Sequence, residues 1–439
     1  MARWNVGADN CTGSEATRMT TRQTATPVPA SESAPPAKAG RTIFPPWTLV
    51  AGLLLVTTVT HGIISAGLPA LDSAILGDLD ISRGTLKLRE TIFLISSGVS
   101  GLLIGFLTIT VRPSRIVQAG LVLLALTLWA YAETTTIAQI YFLYILLGLS
   151  FASAHVVVIV LMIRERFTLR RTLAISVALS GTSIGAAIFP NLTVYALDFM
   201  AWRDVVRTAA IFPLAILPVA LLLVTGDRRK SAEELQAEPV TAACTPRTKP
   251  KLALPLLMIA TFGTFFASTA FLLNLFLYLQ DIGMSAQSAA FGMSIVFMTG
   301  LFAKVLVGMA AEHWGTNLVW NWQQLILLLG ALSLASGAPA LAYAGLVLLG
   351  AGWAGCYVLT QVVISNHFAG PRLGQLTGAF IVFEAISSGT GVWAAGATFD
   401  LLGSYRPGFY ICAVFIAVAA VAGFAFRRMT DAANKEDVR

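Results

Sequence analysis

The sequence predicts an all-α membrane protein: twelve transmembrane helices in two pseudo-symmetric six-helix bundles. Three observations carry this reading. The chain of 439 residues is 56% hydrophobic and only 12% charged, about half the roughly 25% charge of soluble domains, and its mean hydropathy is +0.76. Apolar runs recur from end to end, each long enough to cross a hydrocarbon core of ~30 Å as a helix whose backbone groups are satisfied internally. Finally, the basic residues are sorted by side across the connections.

Taking the elements in order, residues 1–45 are rich in Ser, Thr, Ala and Pro and read as a disordered cytoplasmic tail. The first apolar run begins near Trp47, too far along for a signal peptide, and is expected to be the first anchor. Six runs, at 47–68, 88–111, 115–131, 137–163, 173–198 and 206–225, make an N-terminal bundle over 46–225. A polar cytoplasmic loop follows at 226–252, with the charge run Asp227, Arg228, Arg229, Lys230, Glu233 and Glu234. Six more runs, at 253–279, 286–311, 317–334, 339–365, 376–399 and 408–426, make a C-terminal bundle over 253–426, and 427–439 is a short cytoplasmic tail.

With the N-terminus inside, 22 of the 29 Lys and Arg fall in cytoplasmic segments, six fall outside, and Lys304 is left within a span. Such a bias places both termini in the cytoplasm of a multi-pass cell (inner or plasma) membrane protein. The net charge of +7 is therefore a topology signal, and no nucleic-acid partner is implied. Cys11, Cys244, Cys356 and Cys412 are scattered without a CxxC or a Cys/His cluster. Neither a disulfide framework nor a metal site is suggested, and no cofactor is expected.

The halves look related. Spans four and five are joined by the basic turn Arg166, Phe167, Thr168, Leu169, Arg170, Arg171, and spans ten and eleven by His367 to Arg372. Duplicated six-span halves around a central site are an architecture of alternating-access transporters.

Three segments carry a family resemblance. One holds Arg166–Phe167, Arg170–Arg171, Leu173–Ala174, Gly181, Gly185, Pro190 and Trp202–Arg203. Another runs from Tyr278, Leu279, Gln280, Asp281, Ile282, Gly283 through Ala289–Ala290 to Lys304, Gly308, Glu312 and Gly315. The last holds Gly391, Gly396, Asp400 and Gly403, Ser404, Tyr405. On these the chain resembles the major facilitator superfamily over 47–426, and within it the monocarboxylate porter and oxalate–formate antiporter branch. The resemblance implies the major facilitator fold. It also places Lys304 where that branch carries an arginine facing the substrate anion. There are departures. Gly105 is followed by Ile109 where the superfamily's first-half motif has an acid, Val392–Trp393 replace prolines, and Ala70 follows Pro69 where animal monocarboxylate carriers have a lysine.

An ionisable group inside a span costs roughly 2.5–3.5 kcal/mol on insertion scales and is a functional candidate by default. Lys304 shares one face of span eight with Gly300 and Gly308. It either contacts an anion or snorkels to the cytoplasmic end, roughly 10 Å away at ~1.5 Å per residue. Glu384 lies about a third of the way along span eleven. Burial favours a neutral carboxyl, which suits a proton carrier. A structural hydrogen bond or an ion pair with Lys304 is the plainer alternative. His61 and His155 are the span histidines, able to pass protons or contact substrate, or to bond helix to helix. Asn274 and Gln361 are either cavity liners or interhelical hydrogen bonders. Lys87, Arg89 and Glu90 sit at the outer start of span two, as an anion funnel into the mouth or as a solvated interfacial cluster. The pairs Gly181/Gly185 and Gly391/Gly396 read as packing sites, and Trp129, Trp353 and Trp393 as cavity walls or anchors.

The expected function is secondary active transport of a small organic anion, a monocarboxylate, coupled to protons or to counter-anion exchange, by a monomer in the lipid bilayer. The alternative is proton-driven efflux of hydrophobic or cationic compounds. No GxSxG, HExxH or paired His/Asp cluster supports a membrane enzyme, and a nutrient sensor on this scaffold is expected to carry a longer signalling tail.

Overall fold

A computed structural model describes residues 45–167, 170–224, 252–367 and 373–436. The expected N-terminal tail and central loop lie outside these residues except for Pro45 and Leu252, as do 168–169 and 368–372 of the two connecting turns.

Among the described residues twelve helices are long and apolar enough to cross a membrane. Spans one to six are Pro46–Leu79, Arg83–Thr110, Pro113–Ala132, Ile137–Ile163, Leu173–Leu197 and Trp202–Leu223. Spans seven to twelve are Ala253–Asp281, Ala286–Trp314, Thr316–Ala335, Ala340–Ile364, Ala379–Leu402 and Arg406–Ala432. The expected edges shift where helical backbone continues through polar residues. Span one does not stop at residue 68. A π-helical turn, Ile63–Gly67, and a 3-10 turn, Pro69–Leu71, carry it into the helix Asp72–Leu79. Pro69 has no N–H for the ladder, so the regular pattern changes there. Span two begins at Arg83, where the Ser82 hydroxyl accepts from the Thr85 N–H at 3.3 Å. The last helix runs past residue 426 to Glu436.

Glycines set the helix contacts within each half. A Cβ on Gly185 would lie 2.0 Å from the Thr58 carbonyl oxygen, so spans one and five touch backbone to backbone. In the other half a Cβ on Gly391 would lie 2.0 Å from the Phe266 carbonyl oxygen, at the matching contact of spans seven and eleven. Small residues permit such approaches in a bilayer, where close packing rather than water exclusion drives association. The packing reading of these glycines holds, and Gly396 packs on Arg83, Gly84 and Lys87 of the opposite half.

The halves meet along spans two with eleven and five with eight, and they meet unevenly. At the end bearing the 1–2 and 11–12 turns, Arg83 forms a two-pronged ion pair with Asp281, with Nη2 to Oδ1 at 2.8 Å. Asp400 accepts from the backbone N–H of Arg83 and of Gly84 at 2.9 and 2.7 Å. Thr91 Oγ1 donates to the Gly389 carbonyl at 2.7 Å, and Asn191 Nδ2 to Ser294 Oγ at 2.7 Å. A Cβ on Gly98 still meets Ala385 at 3.1 Å. Further along, one on Gly101, Gly105 or Gly308 would meet no atom within 4 Å. These contacts between the halves thus lie at the first end, and toward the end bearing the 2–3 and 8–9 turns these three glycines meet no neighbour.

The cluster at the start of span two corrects an expectation. Lys87 and Arg89 are 0% exposed and Glu90 1%. Neither a funnel nor a solvated patch is formed, and Arg89 is buried within the cluster. The fully buried Asp72 carboxylate bridges Lys87 and Arg89. Arg89 also reaches Glu90 at 3.3 Å, donates to the Tyr131 hydroxyl at 3.0 Å and stands 5.1 Å over the Tyr144 ring. Lys87 alone crosses between halves, donating to the Leu273 carbonyl. The physical reason is mutual neutralisation. Two acids and two bases compensate one another at a depth where any one alone is prohibitive.

Candidate functional site

Lys304 projects between the halves rather than snorkelling along its own helix. Its Nζ lies 3.4 Å from Ser183 Oγ on span five and 5.6 Å over the Trp353 ring on span ten, a cation–π distance. Trp353, Tyr357 and Gln361 recur every fourth residue and share one face of span ten. The Trp353 ring meets Phe297 edge-on at 5.7 Å and Tyr357 at 6.3 Å.

On the N-terminal side both histidines stand at breaks in their spans. His61 lies in the last turn of the helix Pro46–Gly62, two residues before the π-helical turn, and His155 lies between the helices Ile137–Ser153 and Val156–Arg166. Their rings are nearly parallel, with centroids 6.5 Å apart. Phe151 packs on both, at 5.5 Å from His61 and 4.5 Å from His155. Lys304 is within electrostatic range of both imidazoles. His61 Nδ1 is buried and has no hydrogen-bond partner among the described residues.

Glu384 is 8% exposed. Gln361 Nε2 donates to both of its carboxylate oxygens, at 3.0 and 3.1 Å. Among the described residues no ion pair joins Glu384 to Lys304, so that pairing is not formed. Asn274 is 0% exposed, and its Nδ2 donates to Ala270 O at 2.9 Å and Val392 O at 3.2 Å. It ties span seven to span eleven rather than lining a cavity. Trp129 and Trp393 are exposed, whereas Trp353 is a wall of the site.

The structure thus brings together Lys304, His61 and His155, places the Gln361–Glu384 pair along the same wall as Trp353 and Tyr357, and holds Arg89 and Asn274 in buried contacts away from that wall. Ser183, Phe151 and Tyr357 were missed. The four-residue spacings 151/155 and 353/357/361 were the available signal.

A family comparison decides the class. The sequence pattern described as Major Facilitator Superfamily matches residues 53–391 and 257–439. The chain belongs to the Major Facilitator Superfamily. This facilitator is similar to the solved nucleoside transporter NupG, with a TM-score of 0.69 and 13% identity over 87% of this chain and 99% of that one. It is similar to the D-xylose-proton symporter, with a TM-score of 0.68 and 15% identity over 87% and 96%. The human organic anion transporter MFSD10 (TETRAN) gives 0.64 and 14% over 87% and 100%. At such identities these likenesses concern the fold. A curated relative, the fujikurins efflux protein of Gibberella fujikuroi, is 26% identical over 166 residues, which is 37% of this chain. The match spans about a third, 33%, of that relative's own length. The facilitator is a multi-pass membrane transporter.

Proposed function

We propose that this facilitator carries a small organic anion, a monocarboxylate in the first instance, by alternating access, with coupling to protons or to a counter-anion. The observation that supports this is Lys304. Its ammonium stands between the halves with a neutral hydroxyl and an indole ring for company, and among the described residues no carboxylate neutralises it. A substrate carboxylate would supply the missing charge, and the apolar walls Phe151, Trp353 and Tyr357 would take its body. On this reading the halves part toward the 2–3 and 8–9 turns, which the charge count assigns to the cytoplasm of a cell-membrane protein with both termini inside.

The test is equilibrium binding of small carboxylates to purified protein. Lys304→Ala should weaken binding at least tenfold, about 1.4 kcal/mol, and Lys304→Arg should recover part of it. Unchanged affinity in Lys304→Ala would remove the reading. The proton role falls to Glu384, with His61 beside the substrate. In liposomes Glu384→Gln should abolish uptake driven by a pH gradient and keep counterflow of preloaded substrate. Loss of both, or of neither, contradicts that division of labour.

A second reading, export of a hydrophobic or cationic compound, is favoured by Glu384 beside the aromatic wall and by the efflux protein among the relatives. It requires lipophilic cations to bind, Glu384→Gln to prevent that binding, and Lys304→Ala to leave it intact.

A further inference from the structure

The end bearing the 1–2 and 11–12 turns carries a cavity that the central site does not use. Its volume is about 370 Å³, and its walls include Tyr278, Asp281, Phe399, Ser404, Tyr405 and Arg406. This lies in the lower part of the ~300–1,000 Å³ range of small-molecule pockets. The lining comes from the end of span seven, the turn after span nine, the end of span eleven, the turn that follows it and the start of span twelve, all in the C-terminal half.

Its charges are not balanced within it. Asp281 already holds Arg83 through both prongs of an ion pair. Arg406 donates Nε to the Ala335 carbonyl at 3.3 Å and Nη2 to the Ser336 carbonyl. Both partners are neutral, and among the described residues no carboxylate pairs with Arg406. Tyr405 is 1% exposed, and its hydroxyl makes no hydrogen bond of normal geometry among the described residues, although the Arg83 guanidinium is its charged neighbour. A buried hydroxyl without a well-formed hydrogen bond is less stable than a bonded one, so a ligand that bonds it gains accordingly. The Tyr278 hydroxyl is already committed to the Leu334 carbonyl, which leaves its ring, with that of Phe399, as apolar wall.

We propose that this cavity is a second, peripheral binding site for small carboxylates. The carboxylate meets the free Nη1 of Arg406 and the Tyr405 hydroxyl, and a flat apolar body lies along Phe399 and Tyr278. Occupancy favours the contacts between the halves at this end, because the wall residue Phe399 carries the Arg83 guanidinium 3.6 Å above its ring and Asp281 is that guanidinium's partner. The anion-attracting mouth expected from Lys87 and Arg89 is thereby reassigned to Arg406.

The probe is radiolabelled benzoate, bound at equilibrium to the full chain in detergent. The parent protein should bind two equivalents of benzoate; in a Lys304→Ala background, which disables the central site, one equivalent, at this cavity, should persist. Adding Arg406→Gln should weaken it at least tenfold, and Tyr405→Phe, which keeps the ring, severalfold. Arg406 also ties down the turn after span nine, so its replacement can harm folding. Ser404→Cys in the Lys304→Ala background then gives an independent readout, and benzoate should slow its modification by a water-soluble thiol reagent. Loss of all binding in Lys304→Ala alone overturns this site and leaves the central one standing. Binding that ignores both Arg406→Gln and Tyr405→Phe, or thiol labelling indifferent to benzoate, overturns it as well.

Discussion

Asp72→Ala is expected to destabilise the folded protein by about 3–5 kcal/mol, because it strands two cations in a site closed to bulk solvent. Lys87 and Arg89 are both 0% exposed, and Asp72 is the carboxylate that bridges them. Removing it leaves Glu90, at 3.3 Å from Arg89 Nε, as the remaining acid for two bases. The measurement is thermal unfolding of the purified protein in detergent, alongside the yield of folded material from membranes. The balanced double variant Asp72→Leu/Lys87→Met is the control. It removes one acid and one base together, keeps the Arg89–Glu90 pair, and should cost far less than Asp72→Ala alone. A loss below about 1 kcal/mol for the single variant, typical of exposed ion pairs, would mean that this cluster is hydrated and that the buried description is wrong.

The second large effect is steric. Gly185→Val and Gly391→Val should each cost about 3 kcal/mol or more, at the upper end of overpacking effects. The added carbon cannot be accommodated by a side-chain rotation. At both positions it meets a backbone oxygen at 2.0 Å, of Thr58 in one half and of Phe266 in the other, so a whole helix must move. Span five would be pushed off span one, or span eleven off span seven, and transport should fall with stability. Gly101→Ala provides the contrast, since no atom lies within 4 Å of the new carbon. It should be neutral or stabilising by up to about 1 kcal/mol, the helix-propensity difference between Gly and Ala. Equal effects at Gly101 and Gly185 would show that chain stiffness rather than contact governs both.

What could be read from the residues divides by the range of the information. Span positions depend on some twenty neighbouring residues, so hydropathy places Ile137–Ile163 at its observed bounds and most others within a few residues. Span one runs eleven residues beyond its expected end because Asp72 looks like a terminator to any local count. The bases that neutralise Asp72, Lys87 and Arg89, come from the next helix. The same long-range compensation hid the burial of Arg89, which composition assigns to a wet interface. Lys304 was legible as an intramembrane charge flanked by glycines, whereas its partner Ser183 is 121 residues distant and chemically unremarkable. The Lys304–Glu384 pairing was the natural inference from two opposite charges in one half. Helix geometry instead supplies a nearer donor, Gln361, for the carboxylate.

The charge cluster around Asp72 has an electrical consequence. A membrane potential does work on a moving charge, about 2.3 kcal/mol per elementary charge per 100 mV of potential traversed. Asp72, Lys87, Arg89 and Glu90 sum to zero when ionised, and all four belong to the N-terminal half. When that half rocks, the quartet travels through the field as a neutral body. Parting the halves at the end bearing the 1–2 and 11–12 turns exchanges Lys87's carbonyl partner for solvent without carrying net charge across the bilayer. The voltage dependence of transport is then left to charges outside the quartet, the ammonium of Lys304 among them.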